Sequence, residues 1–154
     1  MLYPLTFEPV FQERVWGGRR LETLFNKPLP PAQLIGESWE ISDRLGAVSV
    51  ITNGPFAGRD LHWLMDNHAE KLLGKVPSHD GRFPWLAKLL DANEDLSVQV
   101  HPPANLAEQL GGEPKTEIWH IAHAELDARL IAGLKYGTTP ENFEQQMGQS
   151  DFPV

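Results

Sequence analysis

Apolar positions in this chain fall in short runs broken by Gly and Pro rather than in long periodic stretches. Residues 5–11, 48–52 and 84–90 read as strands, and residues 37–42 alternate, with Trp39 and Ile41 on one face and Glu40 and Ser42 on the other. Residues 96–101 read as the strand returning after a turn at 91–95. Residues 116–123 and 128–134 read as two more strands across a tight connection. Helical spacing is clearest over 61–73, where Leu61, Leu64, Met65, His68 and Leu72 recur at three and four. Asp60 precedes this run as a cap and Gly74 follows as a stop. Shorter helices are expected at 19–25, at 105–110, and from Pro140 to about Met147. Many short strands, few helices and no βαβ rhythm predict an antiparallel β sandwich or barrel with helical additions. The strands are too few to close a barrel, and residues 149–154 form a polar tail.

Composition narrows the chemistry. The chain has 154 residues and is 41% hydrophobic, enough for one core. Its formal charge of −8 disfavours nucleic acid and anionic membranes, while leaving room for a local basic pocket that takes a small anion. With no cysteine, disulfides, thiol catalysis and Fe–S clusters are excluded, and any metal must be held by His, carboxylate or amide oxygen. No apolar run approaches a membrane span and no leader pattern opens the chain, so the expected address is the cytoplasm.

Three segments carry candidate chemistry. In Leu96-Ser97-Val98-Gln99-Val100-His101-Pro102, a strand would project Gln99 and His101 from one face while Val98 and Val100 face the core. An amide oxygen beside an imidazole is half of a metal site, and equally a polar strand face. In Lys115-Thr116-Glu117-Ile118-Trp119-His120, Glu117 could add the anionic ligand, and Lys115 beside a cation would be driven toward its neutral form and handle protons; the plain alternative is a surface ion pair. Lys88 sits inside the apolar run at 85–90, where it either snorkels to solvent or lines a polar cavity.

Of six histidines, His62 and His79 read as solvent residues, His68 as a packed helix residue, and His123 as a better spare ligand than His120. The five tryptophans read mostly as core, except Trp16. Its setting, Arg14-Val15-Trp16-Gly17-Gly18, reads as a glycine turn whose exposed ring could stack on a sugar. No phosphate-loop glycine pattern and no hydrolase triad occur.

Taken in order, Arg14 to Gly18, Gly36-Glu37-Ser38-Trp39-Glu40-Ile41-Ser42, Lys88 to Leu90, Leu96 to Pro102 and Lys115 to Trp119 resemble type I mannose-6-phosphate isomerase, a zinc enzyme of the cupin class. The resemblance runs from Tyr3 to about Met147. It implies a single cupin-like (jelly-roll) domain over 1–154, with zinc held by Gln99, His101 and Glu117. It also implies Lys88 and Lys115 lining the cavity of a sugar-phosphate substrate, with Lys115 handling protons. Members of that family continue into a segment with a fourth zinc ligand, a histidine, and a catalytic arginine. The chain is therefore expected to correspond to the N-terminal half of such an enzyme, and to self-associate or need a C-terminal half. Two other readings remain: a non-catalytic cupin-like module that binds metal or sugar phosphate, and a cupin dioxygenase, which usually wants more histidines than His101 alone.

Overall fold

The structure, a computed structural model, describes residues 2–78 and 80–147. His79 and the tail at 149–154 lie outside the described residues. The chain forms two compact units, Met1–Leu96 and Ser97–Val154.

The first unit is built on a three-stranded antiparallel sheet in the order β1 (Val10–Gly18), β2 (Ile35–Ile41), β5 (Ala87–Leu90), with β2 in the middle. Short strands β3 (Asp43–Arg44) and β4 (Ala47–Val48) form a separate hairpin. The run expected as a strand at 5–11 instead contributes a bridge, Phe7 to Ile51, before β1 begins. No closed barrel forms among the described residues, in keeping with the expectation of an open, mostly antiparallel sheet.

Helix α1 (Arg20–Phe25) follows β1 directly, and the buried Asp91 accepts the Arg20 backbone N–H at 2.7 Å, satisfying a donor that a helix start leaves open. Helix α2 (Leu61–Leu73) starts as its sequence dictates: Asp60 accepts the Trp63 N–H at 2.7 Å. Its apolar face packs Leu61 and Leu64 with Ile51 into one core cluster, joined by Leu5, Phe7, Ile41 and Leu72. His68 departs from helical geometry and kinks the helix, its ring stacked on Phe56 with centroids 5.2 Å apart, so it is a packed residue as expected. A second cluster joins Leu21, Leu29 and Ile35. The fully buried core residues are aliphatic, and of the tryptophans Trp63 packs against them. Trp16, Trp39 and Trp63 are half-buried and Trp85 and Trp119 exposed, so most of the tryptophans are not the core residues expected.

The segment Arg14 to Gly17 is no turn. It is a bulge inside β1, since the register jumps from Glu13↔Ile35 to Gly18↔Ile35. The bulge closes tightly on β2: a Cβ on Gly17 would lie 2.5 Å from the Gly36 nitrogen, and one on Gly36 would lie 2.6 Å from Arg14 Cβ and from the Trp16 ring. Backbone cannot yield as a side chain can, so Gly17→Ala is expected to destabilise the chain by roughly 1–3 kcal/mol. Urea unfolding checks this, and a loss below a few tenths would mean that the strands separate easily.

Among the described residues, the second unit holds two helices, α3 (Ala104–Ala107) and α4 (Pro140–Met147). Helix α4 starts at the proline as expected. The strands expected at 96–101, 116–123 and 128–134 are absent; these segments are irregular. Nor do Val98 and Val100 face a core, being 47% and 83% exposed. Alternation of apolar residues favours a strand only where partners pair its edges and a second layer covers its face, and neither is present around these segments in this unit.

Candidate metal and substrate site

In the second unit, His101 and Glu117 meet although neither lies on a strand. His101 Nε2 stands 3.1 Å from Glu117 Oε2, and Lys115 Nζ stands 2.7 Å from the other carboxylate oxygen. The sequence paired these residues through strand geometry. The structure pairs them through irregular backbone, so the contact survives while its stated reason does not. Gln99 is not brought in: its Nε2 donates to Ser97 Oγ at 3.5 Å, at the limit of a hydrogen bond.

The Glu117 carboxyl is held at about 2, well below its ordinary 4.5. The Lys115 hydrogen bond is the largest cause, opposed by burial and aided by the His101 hydrogen bond and by both charges. A lowered carboxyl contributes stability above its ordinary value and loses it as pH falls toward about 2. Lys115→Met should therefore move the Glu117 titration upward toward 4.5. Carbon-detected NMR of the carboxyl reads this directly, and an unmoved midpoint would assign the shift elsewhere.

A divalent ion fits part of this arrangement. Two donors each about 2.1 Å from one ion stand about 3.0–3.4 Å apart, and the His101–Glu117 separation of 3.1 Å falls in that range. The donor set is chemically apt, an imidazole and a carboxylate already ionised. Among the described residues, no group of three or more His, Cys, Asp or Glu is placed to hold a metal. His123 pairs with Glu125 at 3.4 Å.

In the first unit, Lys88 is part-buried and ion-paired. From β5, opposite Trp39, it reaches Glu37 of the central strand, Nζ to Oε1 at 2.9 Å. The other oxygen of Glu37 accepts Arg14 Nη2 and Trp39 Nε1, each at 3.0 Å. Burial pushes the Glu37 carboxyl up, but the hydrogen bonds of Lys88 and Trp39 and the charges of Lys88 and Arg14 outweigh it, leaving the carboxyl below its ordinary value. Sequence reading passed over Glu37, yet a signal existed: period two places it on the apolar face of Trp39 and Ile41, where a lone carboxylate needs partners. Trp16 lies half-buried in the β1 bulge, its carbonyl accepting the N–H groups of Asn93 and Glu94.

Asp43 was also missed. Its side chain is fully buried, and it accepts Arg82 Nη1 at 3.0 Å and the Phe83 N–H at 2.9 Å. It meets His62 Nδ1 at 3.2 Å, so His62 is not a plain solvent residue. A cavity of about 280 Å³, lined by Leu2, Tyr3, Phe7 and Phe83 among others, contains none of the candidate site residues. No helix among the described residues is long and apolar enough to cross a membrane.

Comparison with known proteins gives a consistent picture. Residues 5–113 match the family model for the catalytic domain of type I phosphomannose isomerase. The chain is 43% identical to a Bacillus subtilis protein named probable mannose-6-phosphate isomerase GmuF, over 99% of this chain and 47% of that protein. It is 37% identical to the mannose-6-phosphate isomerase of Streptococcus mutans, over 99% of this chain and 47% of that one. A crystal structure of the Bacillus subtilis mannose 6-phosphate isomerase is similar with a TM-score of 0.62 at 38% identity, over 70% of this chain and 33% of that one. The chain thus spans about half the length of the curated relatives it matches.

Proposed function

The chain belongs to the type I phosphomannose isomerase family, and from that premise we propose that it forms part of a zinc-dependent aldose–ketose isomerase of the cupin class. The reaction is the interconversion of mannose 6-phosphate and fructose 6-phosphate through an enediol. The observation that carries this reading is the approach of His101 Nε2 to Glu117 Oε2 with Lys115 on the same carboxylate.

Gln99, His101 and Glu117 would hold the zinc, with Gln99 turning from Ser97 to present its amide oxygen. When bound, such a cation polarises the sugar oxygens and offsets the negative charge that develops between C1 and C2. Lys115 is the candidate to carry the proton between those carbons. Its ammonium is tied to Glu117 at 2.7 Å, and a nearby positive charge would favour giving up a proton. Lys88 binds the substrate as a cation, and the Trp16 ring offers a face to a sugar. Substrate is a small sugar phosphate. Exposed Ile118, Leu126 and Ile131 in the second unit would support self-association or a covering segment.

A chimera tests the reading, with this chain replacing the matching part of Bacillus subtilis ManA, 42% identical over 90% of this chain. It should isomerise mannose 6-phosphate in a coupled assay and lose that activity with Lys115→Met. A chimera that folds and takes up zinc yet leaves the sugar unchanged would favour a binding module instead.

A further inference from the structure

The central strand of the first unit carries a carboxylate that no assigned role explains. Glu37 is 6% exposed, and its two oxygens are fully engaged by Lys88, Arg14 and Trp39. The two cations come from the strands on either side, Lys88 from β5 and Arg14 from the β1 bulge. Both keep part of their surface open, with side-chain exposures of 22% for Lys88 and 37% for Arg14. An ammonium has three donors and a guanidinium five. Glu37 takes one from each cation, and Arg14 gives another to the Glu13 carbonyl at 3.1 Å. The remainder can meet an acceptor with several oxygens. Two cations against one carboxylate leave a local charge of plus one within a chain of formal charge −8. That is a place where an anion is attracted rather than repelled.

We propose that Glu37 is the positioning residue of a two-cation cradle, holding Lys88 and Arg14 at a fixed spacing for the phosphate group of the sugar phosphate. The proposal rests on the sugar-phosphate reading above. Without Glu37, two like charges on flanking strands would repel and their long side chains would sample many rotamers. With it, both are held before the ligand arrives, so less ordering is required on binding. Trp39 Nε1 fixes the carboxylate plane, and the glycines at 17 and 36 let the bulge bring Arg14 within reach.

Calorimetric titration of the full chain with mannose 6-phosphate, and separately with inorganic phosphate, tests this. Glu37→Gln keeps the side-chain shape and should weaken both ligands at least tenfold. In a Lys88→Met background the same change should have less than half that effect on a logarithmic scale, because Glu37 acts through the cation that is gone. A merely structural role would instead lower both backgrounds by the same factor, and that result overturns the proposal, as does Glu37→Gln binding within twofold of the parent. If Glu37→Gln does not fold, Glu37→Asp decides. It keeps the charge but is too short to reach both cations, so it should also bind at least tenfold more weakly, and parent-like binding would refute the cradle. A parent chain that binds neither ligand overturns the proposal, since the cradle then takes no anion, while the sugar-phosphate reading stands or falls with the chimera. Parent binding unaffected by Glu37 ends the proposal alone.

Discussion

Replacing His101 by alanine should lower zinc affinity on the order of 100-fold. Among the described residues, His101 supplies the imidazole brought to the Glu117 carboxylate, at 3.1 Å, and no group of three His, Cys, Asp or Glu forms there to compensate for its loss. Glu117→Ala should have a comparable effect, since it removes the charge that makes a divalent ion favourable there. It would also release Lys115 from its 2.7 Å contact. His62→Ala, at a residue paired with Asp43 instead, should leave zinc content unchanged. Competition against a chromophoric chelator measures all three. Equal affinities across the set would dismiss the assignment of the metal ligands.

The second large effect concerns stability. Asp43→Ala should cost roughly 1–3 kcal/mol, because the Phe83 N–H loses its acceptor and the part-exposed Arg82 loses its buried partner. The Asp43 side chain is 0% exposed, and it binds a guanidinium, a backbone N–H and an imidazole at once. These contacts tie β3 to the first turn of α2 and to the Arg82-Phe83 segment that leads toward β5 and Lys88. Asp43→Asn keeps an acceptor and should cost less. Chemical denaturation followed by circular dichroism separates the two, and an alanine variant losing under 1 kcal/mol would show the cluster to be slack.

Much of the first unit was legible from sequence for identifiable reasons. Helix α2 could be read because its cap, its three-four periodicity and its stop all agree. Strand β2 could be read from its alternation, yet both of its faces are covered: Ser38 is fully buried while Trp39 and Ile41 are half-buried. The β1 bulge was misread as a turn because two adjacent glycines fit either, and only the approach of Gly36 decides between them. Buried carboxylates were the blind spot. Glu37 and Asp43 look like surface residues until the partners that neutralise them, which are distant in sequence, are brought alongside.

The backbone of the second unit was not legible in the sequence, apart from helix α4. The pattern in Val98-Gln99-Val100-His101 marked the metal-ligand candidates, while the strand it suggested does not form. A strand requires hydrogen-bonding neighbours that a short segment cannot supply for itself. His101 and Glu117 meet all the same, at 3.1 Å, because an imidazole N–H and a carboxylate can pair without ladder geometry.

The most direct measurement is an anomalous difference map from zinc-soaked crystals, recorded at the zinc edge. One peak is expected, about 2.0–2.2 Å from both His101 Nε2 and a Glu117 carboxylate oxygen, with Gln99 turned away from Ser97 toward it. A peak at His62 and Asp43 or at His123 and Glu125, with none beside His101, would contradict the account.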